Sequence, residues 1–548
     1  METIELLQKP ALTRQDKVLL RGHIFKHLDG IVTSSPAYVL HKRGITNYIL
    51  EHKKFSLEAI SEAFNANEGY MNVALRILCA QGWLNQKVDN KKNTVEFSTN
   101  KSSKFAFSLF HLYEDAHELI KTPAVFRGIN FNDDGWAILE TMFDKFRANY
   151  GLKLSSKETE LAIQRQVLKH IEGVMVGPVI VSMGMNGMFH KYFSIASFRP
   201  EEFHKDHTRF KILLDFLGDL GWFRVKNETY KFTEVGLFFA KRASAYGVTV
   251  SYMPNFRAVE ELVFGNANAL RNIGKGADEL HVDREMNVWG SGGAHSTYFK
   301  KIDEVVIDLF NKPIHEQPKG ILDMGCGNGA LLEHIFEIIA TQTKRGELLD
   351  EYPLFLVGAD FNKAALNVTR GNLIQADIWA KVIWGDIGQP ELLAEDLRED
   401  YGIELADLLS VRSFLDHNRV WTDVKQVDAG RVSDSTGSFA HRGVRIDNNS
   451  VEQNLKEHFE KWTPYVKRFG LLVIELHSID PGLTSKNLGS TAATAYDATH
   501  GFSDQYIVEI PVYLKAAEEA GLEPAEHHQS KFPNSELATV SINLLKGV

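Results

Sequence analysis

The sequence predicts an α/β fold: a doubly wound, Rossmann-like sheet in the C-terminal half, preceded by a mainly helical region that holds winged-helix-like units. Three observations lead there. From about His295, short apolar strands alternate with helical stretches. A glycine-rich turn from Gly325 to Gly329 joins one of those strands to a helix, and Pro36 to Ser98 runs helix, helix, helix, hairpin.

The elements follow in order. Ala37 to Leu50 has helical periodicity, Ser56 is placed to cap Leu57 to Phe64, and Tyr70 to Gln81 carries Val73, Leu75, Ile77 and Leu78 on a helical repeat. Gly82-Trp-Leu84 then leads into a strand pair that reverses near Asp89 to Asn93. An internal echo aligns Leu75-Arg-Ile-Leu-Cys-Ala-Gln-Gly-Trp-Leu84 with Leu214-Asp-Phe-Leu-Gly-Asp-Leu-Gly-Trp-Phe223, so a second winged-helix-like unit is expected. Between the two, Val174 to Met185 is apolar and rich in Met and small residues, as a buried helix or as the lining of an apolar substrate cavity. Strands are expected at Gly320 to Met324, Leu354 to Ala359, Lys381 to Trp384, Asp407 to Val411, Leu471 to Leu476 and Ala538 to Leu545, with a helix from Val512 to Ala520. The polar stretch Thr422 to Asn449 reads as an inserted loop, either a mobile flap or a surface insertion. The expected domains are 1–110, 111–294 and 295–548.

Length and composition set limits on function. A chain of 548 residues calls for roughly two to four domains. The apolar fraction of 44%, with 24% charged residues and no Pro-rich or Gln-rich tract, describes a folded protein. A net charge of −10 opposes a broad nucleic-acid surface, which needs clustered Lys and Arg. The helix from Tyr70 to Gln81 offers Arg76 as its one cation, so the winged-helix units are expected to pack internally or to form a homodimer. Cys79 and Cys326 are the only cysteines, which excludes a disulfide framework and a zinc ribbon and suits a reducing cytoplasm. The leader Met1-Glu-Thr-Ile-Glu5 has no signal-peptide character, and no uninterrupted apolar stretch reads as long enough to cross a bilayer. A soluble, cytoplasmic protein with no membrane partner is the expectation.

The chemistry concentrates around the glycine turn. Strand Ile321-Leu-Asp323 enters Gly325-Cys-Gly327-Asn-Gly329, and a helix begins at Ala330. Glycines allow close backbone approach to a ligand, and the helix start offers free N–H groups to a carboxylate. Gly325, Gly327 and Ala330 also satisfy the dinucleotide fingerprint, so the glycines alone leave a nicotinamide cofactor open. The fuller pattern adds Asp323, Asp360 and Phe361 at the end of the second strand, and Asp386 and Ile387 after the third. It resembles class I methyltransferases. That resemblance implies S-adenosylmethionine, with Asp323 and the glycines at its methionine part, Asp360 at the ribose hydroxyls and Asp386 at the adenine. The interval from Asp323 to Asp360 exceeds the usual spacing of about 20 residues, and Thr341 to Tyr352 hold the excess.

Further strings lie around the expected active face: His281-Val-Asp-Arg284, Asn287-Val-Trp-Gly-Ser-Gly292, Ser413-Phe-Leu-Asp-His-Asn-Arg419, Glu475-Leu-His477 and Asp497 to Gln505. With the core motifs, they resemble the mononuclear-iron-dependent C-methyltransferase domains of apratoxin-type polyketide synthase loading modules. That resemblance implies α-carbon methylation of a malonyl-type thioester, carried on an acyl carrier protein or on coenzyme A. It also implies iron or manganese held by His417, His477, His500 and Gln505, with Asp416 or Asp504 as substitutes. A cation there holds substrate oxygens and stabilises an enolate. Asp416, His417 or His477 would accept the proton. Each His also has a plainer role as a structural hydrogen-bonding residue or a general base, and His527-His528 is either a further ligand pair or a solvated turn. Two rival functions stand beside this one. The first is metal-free O-methylation of a small molecule with His417 or His477 as base, and the second is a catalytically silent binding or regulatory protein. No Asp-Ser-Leu carrier site occurs in the chain, so a tethered substrate would arrive from elsewhere.

Overall fold

The computed structural model describes residues 11–122, 126–127, 130–190, 194–271 and 279–548, with backbone alone at 126–127, 130 and 293–297. The leader, read above for signal character, lies outside them through residue 10. Helix α1 (Arg14–Lys42) begins at a reciprocal cap in which Thr13 and Asp16 each accept the other's N–H. The helix expected from Ala37 to Leu50 is divided: Gly44, with φ 77°, separates α1 from α2 (Ile45–His52). Strand β1 (Lys54–Ser56) follows, then α3 (Leu57–Ala63), whose N–H of Ala59 donates to Ser56 Oγ as the sequence suggests. Helix α4 (Glu68–Ala80) and the hairpin β2 (Leu84–Asp89) and β3 (Thr94–Thr99) complete the first winged-helix-like unit, with β1 on the far side of β3.

The Met-rich stripe falls in α5 (Glu158–Met185), a helix buried against α1. Two glycines allow the contact: a Cβ on Gly30 would lie 2.3 Å from the His170 backbone, and one on Gly173 2.4 Å from that of His27. By length and composition α5 is apolar enough to cross a membrane, though Lys169 and Glu172 interrupt its apolar run; most of that run is buried inside the protein, as in a core helix. The second unit is built from α6 (His207–Asp219) and the hairpin β4 (Phe223–Lys226) and β5 (Thr229–Phe232).

Helix α7 (Arg284–Phe310) runs across residue 294, where a domain break was expected. Then come β6 (Gly320–Met324), α8 (Ala330–Gln342), β7 (Phe355–Asp360), α9 (Lys363–Gln375), β8 (Lys381–Trp384), β9 (Leu408–Ser413), α10 (Asn448–Val466), β10 (Leu471–Leu476), α11 (Ala493–Gly501), α12 (Ile510–Glu519), β11 (Leu522–Phe532) and β12 (Val540–Gly547). The sheet order is β8-β7-β6-β9-β10-β12-β11. The first five strands in that order are parallel, and β12 is antiparallel to both neighbours. Order reverses between β6 and β9, which opens a crevice at their carboxyl ends. The six expected strands are present. Edge strand β11 was missed because Glu523 to Gln529 shows no apolar alternation and its register breaks between Pro524 and Gln529.

The insertion at Thr422 to Asn449 is docked. Its hairpin, Phe439–His441 with Val444–Ile446, sits so close to α4 that a Cβ on Gly69 would meet Ala440 and Val444 at 2.8 Å. Arg76 is equally committed. It is buried, pairs with Asp497 at 2.8 Å, and donates to Ser478 Oγ and to the carbonyls of Thr436 and Ile479. The first unit is therefore bolted to the sheet domain through the helix that a nucleic acid would have used.

Candidate active site

The crevice at the carboxyl ends of β6 and β9 is bounded by the turn after β6. Gly325, Gly327 and Gly329 all take positive φ (81°, 57° and 81°), the region that favours glycine. A Cβ on Gly325 would meet the Leu415 side chain at 2.9 Å, and this places the turn directly against the segment that follows β9. Asp323 is buried, and its Oδ2 has no hydrogen-bond partner among the described residues. Burial, with a contribution from Asp360, pushes its carboxyl up to about 7. An orphaned carboxylate oxygen suits a cationic ligand group. Asp360, also raised by burial, accepts from the N–H of Gly327 at 3.0 Å and of Asn362 at 2.8 Å, which ties the end of β7 to the glycine turn.

Beyond Asp360 lies a ring platform. Phe361 is 64% exposed, with its ring 5.6 Å from that of Trp384, so a flat face is left for a planar ligand group. Asp386 accepts from the Gly388 N–H and from Gln389 Nε2, whereas Ile387 is buried with its carbonyl taken by Trp462 Nε1.

On the other side of the turn, two of the four predicted metal ligands meet. The chain leaves β9 through Phe414 at φ 55° and turns into Asp416–Asn418. His417 and His500, the latter from α11, have ring centroids 4.9 Å apart at 76°. His417 Nδ1 donates to Glu475 Oε1 at 2.5 Å and His500 Nδ1 to the Tyr496 carbonyl at 2.7 Å. With those protons placed, both Nε2 lone pairs are left without a hydrogen-bond partner among the described residues. Burial, then the neighbouring His417, lowers His500 to about 3. Gln505 lies beside the pair, its Nε2 donating to Tyr252 Oη at 3.2 Å, and the Tyr252 ring is 6.0 Å from His500. Tyr252 is also 6.2 Å from the His281 ring, and Arg284, paired with Glu279, extends the polar wall to Asp360.

The remaining predictions depart from this geometry. His477 is fully buried and uses both ring nitrogens internally: Nδ1 donates to the Val508 carbonyl at 3.1 Å and Nε2 accepts from Ser541 at 2.7 Å. Its N–H bonds the Thr539 carbonyl, which commits it to the β12 side of the sheet. Asp416 is no free base. Burial alone would raise its carboxyl, but Arg412, His458 and Tyr513 outweigh that and hold it well below the usual range. Asp504 is occupied by Arg271 and Tyr70. His527 and His528 lie on edge strand β11, where His528 faces Asp308 at 3.3 Å. Among the described residues no group of three or more His, Cys, Asp or Glu is gathered as a metal site. His417, His500 and Gln505 fit a metal in donor chemistry; His477 does not. Sequence reasoning missed Glu475, Tyr252, Arg271 and Tyr70. Only Glu475 carried a signal, as the acidic residue ending an apolar strand.

Three family models match consecutive parts of the chain: an AprA N-terminal domain over residues 20–86, an AprA winged helix domain over 172–266 and an AprA MT2-like domain over 279–543. The chain is an S-adenosylmethionine-dependent methyltransferase. Its methyltransferase domain carries the crevice described above, and the second winged-helix unit lies inside the matched winged helix domain. Solved structures similar to this methyltransferase include the mitomycin 7-O-methyltransferase MmcR (11% identity, 71% of this chain and 98% of that one, TM-score 0.40). Human N-acetylserotonin methyltransferase bound to S-adenosylmethionine is another (13%, 72% and 100%, 0.38), as is an O-methyltransferase family protein from Burkholderia thailandensis (11%, 68% and 95%, 0.37). At these scores none of the three bears on the chemistry of this methyltransferase. No curated protein matches it.

Proposed function

We propose that this methyltransferase transfers the methyl group of S-adenosylmethionine to the α-carbon of a malonyl-type thioester, on an acyl carrier protein or coenzyme A, with a metal bound by His417, His500 and Gln505. The observation that carries the reading is the His417 and His500 pair, whose Nε2 lone pairs are left open, with His417 two residues after Leu415, the side chain that packs against the glycine turn. A bound iron or manganese ion supplies a Lewis acid that lowers the acidity barrier at the α-carbon. The chain's own residues do the rest. Glu475 and the Tyr496 carbonyl fix the two imidazole tautomers. Asp323 offers its orphan oxygen to the cofactor ammonium, and Asp360 offers its carboxylate to the ribose. The α-proton passes to solvent water, the resulting enolate electron pair attacks the methyl carbon in line, the methyl–sulfur bond breaks, and S-adenosylhomocysteine leaves as a neutral thioether.

The His417–Glu475 contact also supports a second reading. An imidazole whose Nδ1 proton is held by a buried carboxylate has the geometry of a general base, which fits metal-free O-methylation. One experiment separates the two. Protein stripped of metal is incubated with malonyl-carrier protein, malonyl-coenzyme A and S-adenosylmethionine, with and without ferrous or manganous ion, and the methylated atom is located by mass spectrometry and NMR. Metal-dependent carbon methylation is expected. Full turnover without metal, or methyl found on oxygen, sinks the leading reading.

A further inference from the structure

The segment that carries His500 and Gln505 belongs to the methyltransferase domain, yet side chains from the N-terminal half hold it. Asp504, at φ 56°, is in the left-handed region that a residue other than glycine rarely adopts. Its carboxylate accepts from Tyr70 Oη of α4 at 2.8 Å and pairs with Arg271 at 2.9 Å, with the aspartate side chain only 9% exposed. One residue earlier, Ser503 Oγ accepts from Asn255 Nδ2 at 2.8 Å, and one residue later Gln505 meets Tyr252. Gly501 closes the contact from below, since a Cβ there would lie 2.8 Å from the Val73 side chain of α4. The segment also returns to the other histidine, as the Tyr506 N–H donates to the His417 carbonyl at 2.8 Å.

Four of the five residues from 501 to 505 thus take partners from residues 70–271, outside the sheet domain. We infer that Tyr70, Asn255 and Arg271 are positioning residues, which clamp the loop Gly501–Gln505 so that His500 and Gln505 face His417. This role rests on the reading above only in taking His500 and Gln505 to face the reacting centre. A strained aspartate persists where surrounding contacts over-determine it, and here those contacts cross between domains. The N-terminal half is then part of the active site's framework, while Asp360 takes its hydrogen bonds from Gly327 and Asn362 within the sheet domain.

The test uses the full chain carrying Tyr70→Phe with Arg271→Met, and separately Arg271→Lys. Hydrogen exchange of a peptide covering 497–506, calorimetric binding of S-adenosylmethionine, and kcat and KM for malonyl-coenzyme A are read together. The double variant is expected to raise exchange in 497–506 at least tenfold, leave cofactor affinity within about twofold and lower kcat more than tenfold with little change in KM; Arg271→Lys restores part of the kcat. Exchange in 497–506 equal to that of the parent overturns the clamp. If the parent protein transfers no methyl to the malonyl thioester, the functional reading falls and the exchange result still decides the clamp.

Discussion

On the proposed role of Asp323 at the cofactor ammonium, S-adenosylmethionine binding is expected to depend on pH, and the size of the effect follows from the burial of that carboxyl. The folded carboxyl sits at about 7, against 3.8 for the free group. That gap of roughly three pH units corresponds to about 4 kcal/mol at about 1.4 kcal/mol per unit. The sign is set by which state binds the proton. Between about pH 4 and 7 the folded protein keeps a proton that the unfolded chain has released, so stability falls as pH rises and the whole cost is felt above about 7. S-adenosylmethionine, with its ammonium and sulfonium charges, favours the ionised carboxylate. Binding below about pH 7 therefore expels a proton, and affinity weakens about 25-fold between about pH 7.5 and 5.5. Calorimetric titration across that interval measures it. Asp323→Asn should bind more weakly at pH 7.5, lose most of the slope and unfold at a higher temperature without cofactor. Affinity constant to within twofold in the parent protein, or a slope unchanged in Asp323→Asn, would refute the reasoning; the residual slope belongs to Asp360, whose carboxyl burial also raises.

Arg76→Met should destabilise the protein by about 3–5 kcal/mol, because it strands the buried Asp497 charge, and Asp497→Asn in the same chain should recover part of that loss in thermal unfolding. His500→Ala is expected to reduce methyl transfer roughly 100-fold with cofactor affinity nearly intact, whereas His477→Ala should cost about 1–3 kcal/mol of stability and leave turnover per folded molecule close to normal; equal losses of turnover would restore His477 to the site. Phe361→Ala should weaken S-adenosylmethionine binding about 3- to 12-fold through the lost ring platform, measured by the same titration.

What the sequence could and could not disclose follows from where each signal resides. Central parallel strands buried on both faces write themselves as apolar runs, which is why β6 and β10 begin and end where the pattern says. Edge strand β11 meets solvent and pairs on one side, so its polar residues left no trace. The glycine turn was legible because positive φ and close approach restrict the residue type at three neighbouring positions. Arg76 and Tyr70 were illegible as parts of the framework, since their partners Asp497 and Asp504 lie more than 400 positions away. No local period records such a pairing. The stripe in α5 could not separate core from cavity for a similar reason, because the decisive contact is backbone to backbone through Gly30 and Gly173.

The fate of the string Glu475-Leu-His477 shows how a correct location can still assign the wrong partner. Histidine is the commoner ligand, and at the end of a central strand it attracts the metal reading. The sheet resolves the string differently. Glu475 reaches back to the Asp416 N–H and to His417 Nδ1, while His477 is drawn by the Thr539 carbonyl and Ser541 to the antiparallel neighbour β12. A carboxylate that accepts from both the backbone and the imidazole fixes the His417 tautomer, which a second histidine in that place could do only through a single ring nitrogen. The open Nε2 of His417 is thus a consequence of Glu475. Replacing Glu475 by Gln would leave a hydrogen bond but remove the charge, and with it the preference that keeps the His417 proton on Nδ1. Both readings of the chemistry need that lone pair, as a ligand or as a base, so Glu475 matters to each of them equally.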